Sequence, residues 1–322
     1  MKVAEQTSSR MGRDSSMQTL LNRLLAKNSG LSVNGKVADY IPELAKVNPK
    51  FLGAYIMDIR CNSEYAAGDH DVAFTIQSIA KIIMFTCALL DNDLAEISQA
   101  ISVEPTADGF NSIASLETKN THKPLNPMIN AGAIATIPFV RGTTYTEKFT
   151  RILNLMRTMS GNPNLSVNHQ VYTSESLTGN RNRALAYYMY STGVIKGDIE
   201  ELLDVYFRLC SVNVTCKDLA AIGSVLANNG IDPKSNMRII SKEKCRIVKA
   251  VMATCGLYNE SGLFAATVGI PAKSGVGGGI LAVVPKQMGI GVFSPLLDDK
   301  GNSIAGMSFL SDLSLALDLS VY

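Results

Sequence analysis

Between Thr75 and about Cys255 the apolar residues recur at helical spacing, while the stretches on either side are short, rich in β-formers and broken by Gly and Pro. The helical pattern runs through SIAKIIMFTCALLD, NPMINAGAIATIPFV, TEKFTRILNLMRTMSG, RALAYYMYSTG, IEELLDVYFRLCS, CKDLAAIGSVLANNG and KEKCRIVKAVMATCG, most of them closing on Gly or Asn. Before it, MQTLLNRLLAKN reads as a helix and FLGAYIMDIR as a central strand followed by a turn at CNSEYAAGD. After it, GLFAATVG, PAKSGV, ILAVVP and MGIGVFSP read as an antiparallel meander, and GMSFLSDLSLALDLS as a closing helix. The order predicts an α/β fold: a mixed, mainly antiparallel sheet flanked by helices, with a mainly helical lobe over about residues 76–255 inserted in it. Residues 1–16 are polar and without apolar period, which reads as a mobile tail before a catalytic domain over 17–322.

Composition removes several function classes. With 46% hydrophobic and 18% charged residues the chain has ordinary globular content, and a net charge of +2 with scattered basic residues offers no field for nucleic acid or a membrane surface. No apolar run approaches a membrane span, and the first twenty residues lack the apolar core of a secretory signal, so a cytoplasmic protein is expected. The six cysteines (Cys61, Cys87, Cys210, Cys216, Cys245, Cys255) show no C-x-x-C pair and read as buried free thiols. His70, His122 and His169 lie far apart, so no metal site is expected.

Chemistry concentrates in two short motifs. In QSIAK, a β-like VAFTI segment runs into an apolar helix, placing Ser78 and Lys81 three residues apart on one helical face. That spacing lets an amine accept the hydroxyl proton once a dry or positively charged environment lowers its pKa, and a helix N-terminus presents N–H groups to an oxyanion. Alone the motif is weak, since Ser241 and Lys244 repeat S-x-x-K in a charged stretch where Ser241 reads as a helix N-cap. The second motif is Lys273-Ser274-Gly275 opening a strand before GVGGG, whose bland reading is a flexible hairpin turn. Together the two form the S-x-x-K plus K-[ST]-G pairing of β-lactamases and penicillin-binding proteins.

A closer resemblance lies in GKVADYIPELA, IQSIAK, KPLNPMINAGAI, SESLTGNRN, YFRLCS, TCGLYNESG and PAKSGVGGGILAVVP, which in this order resemble the glutaminase family of the penicillin-recognising serine fold. The match runs from about Gly35 towards the C-terminus. It implies a β-lactamase/transpeptidase-like fold, hydrolysis of L-glutamine to L-glutamate and ammonia, Ser78 as nucleophile, Lys81 as general base and Tyr258 assisting proton transfer. It also implies substrate ligands at Tyr40, Asn130, Glu175, Asn182 and Tyr206, an oxyanion hole from the N–H groups of Ser78 and Val276, and a homo-oligomer, dimer or tetramer. No metal or organic cofactor is implied.

Taken singly, the ligands have structural readings too: Asn130 as a turn residue, Glu175 and Asn182 as loop and cap residues, Tyr206 and Tyr40 as core, Tyr258 as an aromatic beside a helix-ending Gly. The polar set nonetheless suits glutamine, whose ammonium asks for one carboxylate and whose carboxylate asks for donors. Two rivals stay open: a peptidase or β-lactam hydrolase of the same fold, and a catalytically silent amino-acid-binding protein. The ankyrin extension and long N-terminal region of the animal kidney-type members have no counterpart here, so the resemblance does not carry their regulation by phosphate or filament formation over to this chain.

Overall fold

The computed structural model describes residues 2–118 and 122–322, with the side chains of residues 2–14 and 32 outside the description. Helix α1 (Lys2–Asn28) carries the helix expected from Met17 back through the segment read as a tail, most of whose side chains lie outside the described set. Strands β1 (Gly53–Asp58), β2 (Ser63–Gly68) and β3 (Phe74–Thr75) lead into the helical stretch. It comprises α2 (Ala80–Asp91), α3 (Leu94–Ile97), α4 (Ala114–Glu117), α5 (Asn130–Thr136), α6 (Tyr145–Ser160), α7 (His169–Thr178), α8 (Asn180–Ser191) and α9 (Ile199–Cys210). The short strand β4 (Asn213–Val214) then precedes α10 (Cys216–Ala227), α11 (Lys242–Cys255) and α12 (Ser261–Thr267). The chain closes with β5 (Ala272–Ser274), β6 (Gly279–Val284), β7 (Met288–Phe293) and α13 (Ile304–Leu317).

The main sheet has five strands in the order β2-β1-β7-β6-β5, and every neighbouring pair is antiparallel, so it has no parallel member. Its two halves come from opposite ends of the chain: β1 pairs with β7 from Gly53↔Phe293 to Asp58↔Met288. Because side chains alternate along a strand, one face (Ala54, Ile56, Ile280, Ala282, Ile290, Val292) packs under α1 and α13 through Leu21, Leu25, Phe309 and Leu313. The other face (Tyr55, Met57, Leu281, Val283, Phe293) meets α10 and the helical mass. Gly289 lets α10 lie close on the strands, for a Cβ there would stand 2.1 Å from the Ala220 carbonyl oxygen. Thus α10, inside the 76–255 stretch, is a layer on the sheet.

The structure differs from the sequence expectation at two segments. GLFAATVG is helix α12 where a strand was expected, because Phe264 and Val268 are buried four residues apart while Leu263 is exposed, a helical and not an alternating period. The turn expected at CNSEYAAGD contains strand β2, with Tyr65 and Ala67 buried between the more exposed Glu64 and Gly68. Five of the six cysteines are buried and Cys61 is half-buried. Among the described residues no helix is long and apolar enough to cross a membrane.

Candidate active site

Helix α2 is apolar on every side and buried from Ala80 to Leu89, so it runs through the interior as a fixed strut. A 3-10 turn, Gln77–Ile79, delivers Ser78 to its first turn from the end of β3. Gln77, just before Ser78, has φ 49°, and Tyr258, in the turn after α11, has φ 55°. Left-handed backbone at two bulky residues is costly and persists where the surroundings over-determine it, here on both sides of Ser78. The turn after β5 closes on the same spot. A Cβ at Gly275 or Gly277 would stand 2.8 or 2.7 Å from the carbonyl oxygens of Ile76 and Thr75, so only glycine lets Val276 lie beside the Ser78 turn.

The cavity there, about 100 Å³, is lined by Tyr40, Ser78, Asn130, Glu175, Asn182, Tyr206 and Val276 among others. All seven of these, taken from six sequence segments, meet in one pocket. Lys81 lies beneath, fully buried, its Nζ donating to Asn130 Oδ1 at 2.6 Å and to the Met128 carbonyl at 3.3 Å. Asn130 Nδ2 in turn donates to Asn182 Oδ1 at 2.8 Å, so both ends of the Asn130 amide are engaged. Tyr258 is buried, and its hydroxyl faces those of Ser78 and Ser274 without closing a well-formed hydrogen bond to either. Tyr40 covers the mouth, its ring half exposed and its phenol directed inward among Glu175 and Tyr258.

Burial sets the protonation states. Desolvation brings the Lys81 ammonium down to about 8, against the smaller pull of Cys210 and Glu175, so an appreciable fraction is free amine near neutrality. Glu175, the one carboxylate lining the pocket, is pushed up to about 8 by desolvation, and the Gln77 amide at 3.4 Å offsets this only in part. A buried carboxyl in that state calls for a cation. Tyr258 is pushed up to about 12 by burial, which keeps its proton available for transfer. Cys210 also lines the pocket, but burial raises its thiol well above the usual range and leaves it protonated, a poor nucleophile. A roomier cavity, about 560 Å³ between α2 and α6, holds none of these residues.

Three further residues lie at the pocket. Lys273, fully buried, donates to the Ser274 carbonyl at 2.7 Å and stands 4.4 Å from the centre of the Tyr258 ring; burial and then Lys81 hold its ammonium well below its ordinary value. Ser274 faces Tyr258. Both lie in the K-S-G motif, which was legible as a motif though not as a set of site residues. Phe110, whose ring packs on that of Tyr258 at a 40° tilt with centroids 4.7 Å apart and which walls the pocket, comes from a loop with no motif of its own. Ser241 caps α11, accepting from the Lys244 N–H, as expected of the control S-x-x-K.

An all-antiparallel sheet under α1 and α13, a helical mass on its other face, and S-x-x-K facing K-S-G at their junction define the β-lactamase-like fold class. The glutaminase family model matches residues 35–322. The chain is 52% identical over 306 residues to glutaminase 2 of Clostridium perfringens, covering 95% of this chain and 100% of that one. It is 53% identical over 306 residues to the glutaminase of Clostridium tetani, with the same coverage. Among solved structures, the covalent complex of a Bacillus subtilis glutaminase with 5-oxo-L-norleucine is similar at TM-score 0.86 and 36% identity, over 95% of this chain and 99% of that one. The chain belongs to the glutaminase family.

Proposed function

We propose that the chain hydrolyses L-glutamine to L-glutamate and ammonia through an acyl-enzyme on Ser78. The observation that carries this reading is the wholly buried Lys81, held at about 8 by desolvation one helical turn from Ser78. In the first stage Lys81 takes the Ser78 proton and Ser78 Oγ attacks the side-chain amide carbon. The N–H groups of Ser78 and Val276 stabilise the oxyanion, Tyr258 gives its proton to the departing nitrogen and regains one from the Lys81 ammonium, and ammonia leaves with Lys81 neutral again. In the second stage water, activated by the same base, attacks the ester and releases glutamate.

Glu175 receives the α-ammonium, while Tyr40, Asn130, Asn182 and Tyr206 supply donors for the α-carboxylate and fix the side chain. The cation would restore the charge that burial denies Glu175. Support also comes from the Bacillus relative, whose covalent complex formed by reaction with 6-diazo-5-oxo-L-norleucine. Neither a metal nor an organic cofactor enters the scheme. The pocket would lie between the α/β part of a domain over 17–322 and its helical lobe over about 76–255, in a cytoplasmic homo-oligomer, dimer or tetramer. The test is ammonia and glutamate release from purified protein given glutamine, asparagine and a β-lactam in parallel. Turnover of glutamine is expected; turnover of the β-lactam alone would refute the reading, and binding of glutamine without turnover would favour the silent binding protein.

A further inference from the structure

Behind the K-S-G strand a short loop holds Ser274 in one orientation. Ser274 Oγ donates to Asn302 Oδ1 at 2.6 Å, and Asn302 Nδ2 donates to Glu260 Oε2 at 2.8 Å. Ser274 and Asn302 are both fully buried. A carboxylate only accepts, so Glu260 requires the NH₂ end of the amide and turns Oδ1 towards Ser274. That oxygen only accepts as well, which commits the Ser274 proton away from the pocket. Towards Tyr258, Ser274 presents lone pairs alone.

The loop that carries Asn302 is itself pinned. Asp298 Oδ1 accepts from the N–H groups of Lys300 and Asn302, each at 2.9 Å, and Lys300 Nζ reaches Glu260 Oε1 at 2.8 Å. Next to Asn302, Gly301 lies beside the Tyr258 ring, where a Cβ would meet it at an ordinary contact distance of 3.5 Å. One loop therefore supports the ring of Tyr258 and, through Ser274, the polar partner of its hydroxyl.

We propose that Asn302, oriented by Glu260, is a positioning residue that fixes Ser274 as an acceptor and so turns the lone pair of the Tyr258 hydroxyl towards Ser78. With Ser274 unable to donate into the pocket, the phenolic proton rests on the Ser274 side and Tyr258 accepts from Ser78 in the resting site; once Lys81 has taken the Ser78 proton, the phenol, which no formed hydrogen bond locks, turns its own proton to the departing nitrogen. The inference deepens the proton-transfer role given to Tyr258 and rests on that reading.

The experiment is a kinetic cycle on glutamine with wild type, Asn302→Ala, Ser274→Ala and the double variant, each checked for folding by its melting temperature. Because Asn302 acts through Ser274, Asn302→Ala should lower kcat roughly 10- to 100-fold with KM changed less than about 3-fold, the size of a lost proton-transfer arrangement. On the Ser274→Ala background the same change should cost less than about 2-fold. Glu260→Gln gives a second arm for the case that Asn302→Ala does not fold. Its amide can donate to Asn302 and release the fixed orientation, so kcat should fall by about 3- to 10-fold, and only while Ser274 is present. Equal losses with and without Ser274, or a rise in KM alone, would overturn the proposal. Absence of glutamine turnover by the wild type would instead strike the functional reading beneath it.

Discussion

The proposed mechanism gives the pocket two groups that must both lose a proton for activity. Glutamine binding asks for an ionised Glu175, and attack asks for a neutral Lys81; burial places both pKa values at about 8 in the empty site. Since kcat/KM reports the free enzyme, its acid limb should fall by two decades per pH unit, or on the order of 10³-fold between pH 8 and pH 6. At saturation the bound ammonium holds Glu175 ionised, so kcat should follow Lys81 alone and fall roughly 50-fold over the same interval. Glu175→Gln keeps the shape and removes the charge. It should cost about 2 to 5 kcal/mol in kcat/KM, as for a desolvated charge pair losing one partner, and reduce the acid limb of kcat/KM to a single proton. The assay is initial ammonia release in a constant-ionic-strength buffer series. A one-proton limb of kcat/KM in the wild type, left unchanged by Glu175→Gln, would refute the pairing of Glu175 with the substrate ammonium.

Two other outcomes follow from the same geometry. Ser78→Ala and Lys81→Ala should each abolish most turnover and the double variant should be little worse than either, whereas Ser241→Ala should leave kinetics unchanged and cost about 1 kcal/mol of stability through the lost cap of α11. Additive losses at Ser78 and Lys81 would separate their roles. The second concerns stability: the folded-state pKa of Lys81 is depressed from 10.5 to about 8, so below pH 8 the folded state carries a buried charge, a penalty of roughly 3 kcal/mol that fades as pH rises towards 10.5. Melting of Lys81→Met should therefore compare most favourably with wild type at pH 7 and lose that advantage by pH 10.5; a difference independent of pH would mean Lys81 is not desolvated.

How far the sequence foretold this site depended on the kind of signal each residue carries. Ser78 and Lys81 were legible because their spacing sets them on one helical face, and β6, β7 and α13 because their apolar patterns are long. Helix α7 is not among the helices the apolar spacing predicts: of its residues only Val171 and Glu175 are buried, so it has no apolar stripe to read, and one of the two is the acid proposed to bind substrate. Strand β2 alternates, but at six residues including Ser, Glu and Gly its own pattern is too weak to read, and it is its hairpin pairing with β1 that makes it a strand. Asn302 sits in DDKGNS, a sequence that announces a turn and nothing about the serine it holds. The joining of β1 to β7 across more than two hundred residues is likewise a tertiary fact that no local pattern encodes.

The central claim is that Ser78, and no thiol, is the nucleophile. Incubation of the purified protein with 6-diazo-5-oxo-L-norleucine, followed by peptide mass mapping, tests it most directly. Recognition through the amino-acid end would hold the reactive carbon beside the activated oxygen, and such orientation is worth an effective molarity of roughly 10⁵ M or more. The account predicts one adduct on the fragment containing Ser78, formed more slowly in excess glutamine and not at all in Lys81→Ala. An adduct on Cys210 or Cys87, with activity lost in step, would move the nucleophile to that thiol and contradict the serine mechanism.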